Sequence, residues 1–542
     1  MSLTRFLTHG YFPHELPQSF SSISFGEMIG ELVDTNSLPR DLSELIDRQN
    51  SRRTARLIKH NLARVNKFRR VLGIPNPILY IGLCKEIIDN WVEIENFINR
   101  SPLSYTKPAI SNNGNRAFSD KSLLRDRPQI RAQFRSNGKY LLVTDIQQFY
   151  PSIYTHSLSW ALHTKTVAKV KRNDMSFLGN RLDKFARGMQ DSQTMGLPIG
   201  PDSSRILSEI LLTAVDIELI NKLPNLKGFR RVDDYELTFR SRSEAENALG
   251  TLQGILSDFE LSLNESKTQI LELPLPLEET WRFTFKDFNF DFDNKRPLDR
   301  IKDLTIYFGL AFETALKYPQ DSVIAYGISR MKKENVVKAT EDKMVWKFYQ
   351  NLLIQSMIAE PGVIRYALFE LKKYMDRGLL IDKDKIQDAL EQIIQFHYSL
   401  GHESEVAWAI WAAIILETKL SELSSNYISQ NRDSLVPLLA LHAESINLTS
   451  VPLDRTYWSS LMTEDELWGN NWLLCYEANL KGWLPSVGGV DHVNRNSYFS
   501  ILKQKNVSFY DTRAVNLDHP QWQSRFSITE LLGYTSSEIE DM

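Results

Sequence analysis

Cysteine is almost missing from this chain. Two thiols in 542 residues, Cys84 and Cys475, exclude a disulfide framework and a thiolate zinc site and point to a reducing compartment. Long apolar runs are missing as well. The longest, Val406 to Leu416, sits between Glu405 and Glu417; it is too short to cross a bilayer and reads as a buried helix. The segment from Met1 to Arg5 leads into a mixed polar stretch without an apolar signal core, so the expected location is the cytoplasm, with no membrane partner. No repeat of fixed period is visible. Charge of one sign is not in excess either: 64 Lys+Arg against 67 Asp+Glu leave a formal −3, so the whole-chain number predicts no polyanion partner.

The total hides a split. Residues 401–542 carry 18 acidic and 9 basic side chains, a net of −9, which leaves +6 for residues 1–400. Eight of the basic residues fall between Arg52 and Arg70 with no acid among them. On composition alone such a run reads equally as a solvated helix face or as an anion-binding surface. Length and composition suit a soluble chain of two to four units.

Residues 40–105 read mostly as helix, interrupted by IPNP at 74–77, because proline restricts both itself and its predecessor. Residues 104–138 read as a basic loop region with a turn at Asn112–Asn115 and arginines at 116, 125, 127, 131 and 135. Tyr140 to Asp145 is a short β-branched and apolar run, a buried strand ending on a carboxylate. Asp202 looks like the cap of a long buried helix that ends near Pro224. Phe229–Val232 and Tyr235–Phe239 then bracket Asp233 and Asp234 as a hairpin with two carboxylates at its tip. A helix over 244–259 leads to a turn and strand over 261–270. Beyond residue 275 amphipathic helices of ten to twenty residues dominate, and seven of the eleven tryptophans lie after residue 400.

Two adjacent aspartates at a hairpin tip repel each other, and turn propensity alone would favour Asn-Gly or Asp-Gly. The bland reading is a solvated turn. The functional reading is a site for divalent cations, since Mg²⁺ prefers carboxylate and phosphate oxygens. Two ions about 3.5–4 Å apart can clamp the attacking and leaving oxygens of a phosphoryl displacement.

The surrounding strings favour the second reading. DIQQFYPSI at 145–153, MGLPIGP at 195–201, RVDD at 231–234 and LNESKT at 263–268 resemble, in order, spacing and inferred strand–helix–hairpin context, palm motifs A to D of reverse transcriptases. The IPNP segment with its basic approach resembles the fingers region. GLPIGPDSSRILSE at 196–209, YFGLAF at 307–312 with Tyr318–Pro319, and HESEVAWAIW at 402–411 are most similar to the bacterial abortive-infection and "unknown group" defence reverse transcriptases. The resemblance covers about residues 50–480.

It implies an α+β right-hand polymerase fold, fingers and palm, followed by an α-helical repeat-like region. The expected division is 1–139 for N-terminal helices and fingers and 140–275 for the palm. A helical repeat-like domain replaces the thumb over 276–480, and a mixed extension occupies 481–542. The implied activity is nucleotidyl transfer with two Mg²⁺, Mn²⁺ being able to substitute. Asp145, Asp233, Asp234 and the Ile146 carbonyl would hold the metals, and Lys267 would serve the leaving pyrophosphate. Tyr150 would be the steric gate for dNTPs, with Gly196, Pro198, Arg69 and Arg70 completing the nucleotide side and Arg131 and Arg135 meeting nucleic acid. Plain alternatives stand beside two of these: Tyr150 as a core aromatic, Lys267 as a surface lysine.

The implied role is anti-phage defence by untemplated DNA synthesis, with single-stranded DNA as product, attached to a priming tyrosine or free. No one of the 20 tyrosines stands out as that primer. Copying of a dedicated non-coding RNA and a non-catalytic nucleic-acid-binding or assembly role remain as alternatives. The family further implies a homo-oligomer, trimer or hexamer. Arg231 stands where motif C usually begins with Tyr, and Met195 where motif B usually has Gln. The acidic C-terminal region would be a scaffold for the palm or a channel with aromatic platforms for a single strand.

Overall fold

The computed structural model describes residues 2–46, 53–63, 69–122, 124–290, 292, 295–334, 336–337 and 342–525. Of the basic run, Arg52, Arg64 and Lys67 lie outside these residues, as does the end of the C-terminal extension after 525.

The basic run is a hairpin and not a helix. Strands β1 (Ile58–Ala63) and β2 (Arg69–Ile74) pair antiparallel, Ile58 facing Ile74 and Ala63 facing Arg69. The period is two: Ile58 and His60 are buried while Lys59 between them is exposed. The 74–77 segment is the junction from β2 into the helix Pro77–Asp89. Asn76 caps that helix by accepting from the Ile78 amide (3.1 Å), and Pro77 occupies its first turn.

A small hairpin, β3 (Pro108–Ile110) with β4 (Phe118–Asp120), follows. The arginine-rich stretch after it is the helix Arg127–Arg135 where a loop was expected. The central sheet is antiparallel throughout, in the order β6 (Lys227–Arg231), β7 (Asp234–Phe239), β5 (Tyr140–Asp145), β8 (Gln269–Glu272). Helix Arg242–Asp258 covers its β7–β5–β8 side and packs in turn on the 21-residue helix Asp202–Lys222. Buried Leu142, Tyr235, Leu237, Ile210 and Leu252 are part of the core that these elements share.

Asp202 does not cap its helix; Pro201 holds the cap position. The Asp202 carboxylate instead accepts from the Arg116 guanidinium and from the amides of Ala117 and Phe118 (3.1 and 3.2 Å).

Among the described residues from Pro297 onward helices dominate, and successive ones pack on each other: Lys343–Ala359 on Ile364–Asp376, and Lys383–Tyr398 on Glu403–Ile415. The apolar run noted above is this last helix, buried on all sides and laid against β1. Trp408, Trp411, Trp458, Trp472 and Trp522 are buried, so none of these five can stack on a nucleic-acid base. Ser19–Ser21 pairs with Phe509–Asp511 through backbone hydrogen bonds (2.9 and 2.7 Å), joining the two ends of the described chain. No helix among the described residues is long and apolar enough to cross a membrane.

Candidate active site

Strand pairing brings the three carboxylates together. Asp145 is the last residue of β5, Asp234 is the first of β7, and the register sets them directly opposite each other. The tip of the β6–β7 hairpin is Val232–Asp233, so Asp233 projects from the turn and Asp234 from the strand. Asp145 is only 6% exposed. Burial, then Asp145 and Asp234, push the Asp233 carboxyl up to about 7. Burial and Asp145 likewise raise that of Asp234. Like charges held together away from water are unfavourable unless a cation joins them. The Lys267 ammonium reaches Asp145 Oδ2 from the 3₁₀ turn Glu265–Lys267. Asp145 Oδ1 is buried without a hydrogen-bond partner. An all-oxygen donor set with an orphaned carboxylate oxygen fits a hard divalent cation such as Mg²⁺. At Ile146, bonds from Gln147 N to Ser262 O (2.9 Å) and from Asn264 N to Asp145 O (2.7 Å) flank the residue. Its own carbonyl is therefore not used in that pairing.

The turn that carries Asp233 is strained and held from outside. Val232 has φ 51°, a left-handed conformation that a β-branched residue seldom takes. Its N–H donates to Thr106 Oγ1 (2.7 Å) and its carbonyl accepts from Arg230 Nη1 (2.7 Å). Arg230 is fully buried and also donates to Glu209 (2.9 Å) and Asp216 (2.7 Å). Burial opposes the charge on this guanidinium, and Asp216 and Glu209 more than offset it. Tyr235 and Ser101 hydroxyls donate to Asp216 as well (2.9 and 2.6 Å). Sequence reading missed this layer. Its signal was the seven-residue spacing of Asp202, Glu209 and Asp216 in a helix that is otherwise mostly apolar: two helical turns per step put all three acids on one face.

In the segments expected to meet the nucleotide, Leu197 N donates to Tyr150 O and Gly196 N to Ile153 O, both at 2.8 Å, so the 195–201 loop is stitched to the end of the 145–153 segment. Gly196 has φ +90°, a conformation open to glycine. Tyr150 is half-buried, and burial pushes its hydroxyl up to about 12; Ser208, Asp233 and Arg70 all act on it. The fingers hairpin docks on the same loop: Gly73 N donates to Ile199 O (2.9 Å), and a Cβ on Gly73 would stand 2.6 Å from the Pro198 Cβ. Tyr150, Gly196, Pro198 and Arg70 thus lie on the side of the carboxylates.

Three arginines expected there are engaged elsewhere. Side chains alternate along a strand, so Arg69 faces away from Arg70, and its guanidinium grips Glu405 (Nη2 to Oε2 2.6 Å) and Asn61. Arg131 and Arg135 are one helical turn apart and both bind Glu236 of β7 (2.9 and 2.8 Å). Although burial opposes it, they hold the Glu236 carboxyl below its usual range. Of the two departures from the motif pattern, Met195 is 52% exposed and Arg231 is half-buried.

Comparison with known proteins places these elements. Residues 91–298 match the family described as reverse transcriptase (RNA-dependent DNA polymerase). No curated protein matches the chain. Among solved structures it is similar to telomerase from Candida albicans in complex with a fragment of telomeric RNA (13% identity, 71% of this chain and 68% of that one, TM-score 0.29). It is also similar to apo telomerase from Candida tropicalis (10% identity, 72% and 68%, TM-score 0.31). The stretch 91–298, which carries the three aspartates and the lysine beside them, is thus the part of the chain that matches a reverse transcriptase domain.

Proposed function

We propose that this chain is a DNA-synthesising nucleotidyltransferase that acts in anti-phage defence, adding dNTPs without an external template and using a tyrosine hydroxyl as primer. One observation carries the catalytic part: Asp145 and Asp234 are opposed across two strands, Asp233 stands beside them, and Asp145 Oδ1 is left without a partner. The Asp145, Asp233 and Asp234 carboxylates and the Ile146 carbonyl would hold Mg²⁺, which when bound supplies charge neutralisation at the triphosphate and acidifies the attacking hydroxyl. Tyr150 presents its ring where the sugar of an incoming nucleotide would lie, which favours dNTPs over NTPs. Lys267, already on Asp145, would carry its proton toward the leaving pyrophosphate. Arg70 would meet the triphosphate. The branch assignment, the untemplated mode, the protein primer and a trimeric or hexameric assembly rest on the motif resemblance.

Purified protein with dNTPs and Mg²⁺ should make DNA, and the double variant Asp233→Ala/Asp234→Ala should not. Undiminished synthesis by that variant would sink the assignment. Mass spectrometry of nuclease-treated protein should find a nucleotide on a tyrosine. A second reading, copying of a partner RNA, is favoured by the match to a family described as RNA-dependent. Sequencing the co-purified nucleic acid and the product separates the two: a defined complement of a bound RNA supports copying, and a homopolymeric or random product supports untemplated addition.

A further inference from the structure

Away from the palm, the turn between helices Lys383–Tyr398 and Glu403–Ile415 gathers two imidazoles and a carboxylate. His397 is in the last turn of the first helix, His402 caps the second and Glu405 is in its first turn. Gly401, at φ +65°, lets the chain reverse between them. The Nδ1 atoms of the two histidines are 2.9 Å apart, and Glu405 Oε1 lies 3.6 and 3.7 Å from them. Three donors about 2.1 Å from one tetrahedral zinc ion stand about 3.4 Å apart, and these three separations bracket that value. The side chains are 11%, 18% and 3% exposed, so a fourth ligand, where one is taken, would come from the His402 side.

From this geometry we propose that His397, His402 and Glu405 bind one divalent transition-metal ion, zinc by the preference of an imidazole–carboxylate set. The single hydrogen between the two Nδ1 atoms would move to Nε2 of the imidazole that donates it, while the accepting imidazole already carries its own on Nε2, so both Nδ1 lone pairs would point inward. Arg69 grips both carboxylate oxygens, Nη1 on Oε1 and Nη2 on Oε2 (2.6 Å), so Oε1 would offer the ion its second lone pair while the guanidinium keeps the carboxylate oriented, as the outer partner of a ligating carboxylate does. Asn61 Nδ2 donates to the Gly401 carbonyl (2.9 Å) and fixes the same turn to β1. Nearby, Glu403 Oε2 is buried with no partner, a further unused acceptor in the turn. The ion would stiffen the turn that Arg69 and Asn61 of the fingers hairpin bind, and so act on the hairpin through those two residues. This inference is independent of polymerase activity.

The test uses the full chain, purified without a metal-affinity tag and dialysed against Zn²⁺ alone. Elemental analysis should find one zinc per chain that persists in Asp233→Asn/Asp234→Asn and is missing in His397→Gln/His402→Gln. Cobalt in its place should give visible d–d absorption that vanishes in the same histidine variant. If the histidine pair proves necessary for folding, Glu405→Gln decides the matter by zinc titration, with affinity expected to fall about tenfold or more. Equal zinc content in wild type and a folded histidine variant, or no zinc in the wild type, would overturn the site and leave an ordinary histidine–histidine hydrogen bond.

Discussion

Replacing Arg230 by Met removes the fully buried guanidinium beneath the carboxylate-bearing hairpin at nearly constant volume. The guanidinium donates to Glu209 at 3.1 and 2.9 Å, to Asp216 at 3.0 and 2.7 Å, and to the Val232 carbonyl at 2.7 Å, with no exposed surface of its own. Without it Glu209 and Asp216 stay buried, and Ser101 and Tyr235 can satisfy hydrogen bonds to Asp216 but not its charge. Breaking a buried pair from one side costs about 3–5 kcal/mol. The lost bond to Val232 adds about 1 kcal/mol and releases a strained turn. The sum, about 4–6 kcal/mol, corresponds to an opening equilibrium shifted by about a thousandfold or more. Amide hydrogen exchange of peptides spanning 227–239 reads that shift locally, where a melting curve of a chain this long would not be two-state. The triple variant Arg230→Met/Glu209→Gln/Asp216→Asn should recover most of the protection, because the two carboxylates are no longer buried without the guanidinium that offset them. Exchange in the single variant as slow as in wild type would refute this account, and so would a triple variant no better protected than the single.

Three further outcomes follow from the geometry. Gly73→Ala should cost about 1–3 kcal/mol, since its Cβ would stand 2.6 Å from that of Pro198, and protease sensitivity of the 53–74 hairpin should rise with it. Tyr150→Ala should raise incorporation of ribonucleotides relative to deoxyribonucleotides in a primer-extension or product-composition assay. Unchanged sugar selectivity would return Tyr150 to the role of a core aromatic. Glu370 and Glu477 are buried, and burial pushes each carboxyl up to about 7 from an unfolded value near 4.5. The native state therefore holds more protons than the unfolded state between these values. Their contribution is full below about 4.5 and is lost as pH rises through 7. The double variant Glu370→Gln/Glu477→Gln should flatten the fall in apparent thermal midpoint expected of the wild type between pH 5 and 7.5, the midpoint being compared between the two proteins and not converted to a free energy.

The parts of the fold that could be read in advance are those that local pattern controls. Tyr140–Asp145 is a strand because its apolar and β-branched residues suit a pleated, buried surface, and the helix near Asp202 announces itself by apolar residues on nearly every face. The hairpin at 227–239 was legible from two short runs around a turn. The fingers hairpin was not. Its basic composition masked the alternation of Ile58, Lys59 and His60, and lysine and arginine are good helix formers. The same limit applies to the arginines. A sequence displays Arg69, Arg70, Arg131 and Arg135 as equivalent cations. Glu405 is 336 residues from Arg69, and Glu236 is 105 from Arg131, so their pairing is invisible locally.

The sequence by itself determined the reverse-transcriptase strings, the order of the carboxylates and the helical character of the C-terminal half, because each depends on residue type and short spacing. Tertiary structure alone decided which charges are spent. It set Asp145 against Asp234, placed Arg230 under the strained Val232 turn, took Arg69, Arg131 and Arg135 into ion pairs and brought Glu405 to His397 and His402. The physical reason is that burial and pairing are properties of neighbours in space, and those neighbours come from segments far apart along the chain. The near-neutral total of −3 is thus a sum over contacts that composition cannot sort.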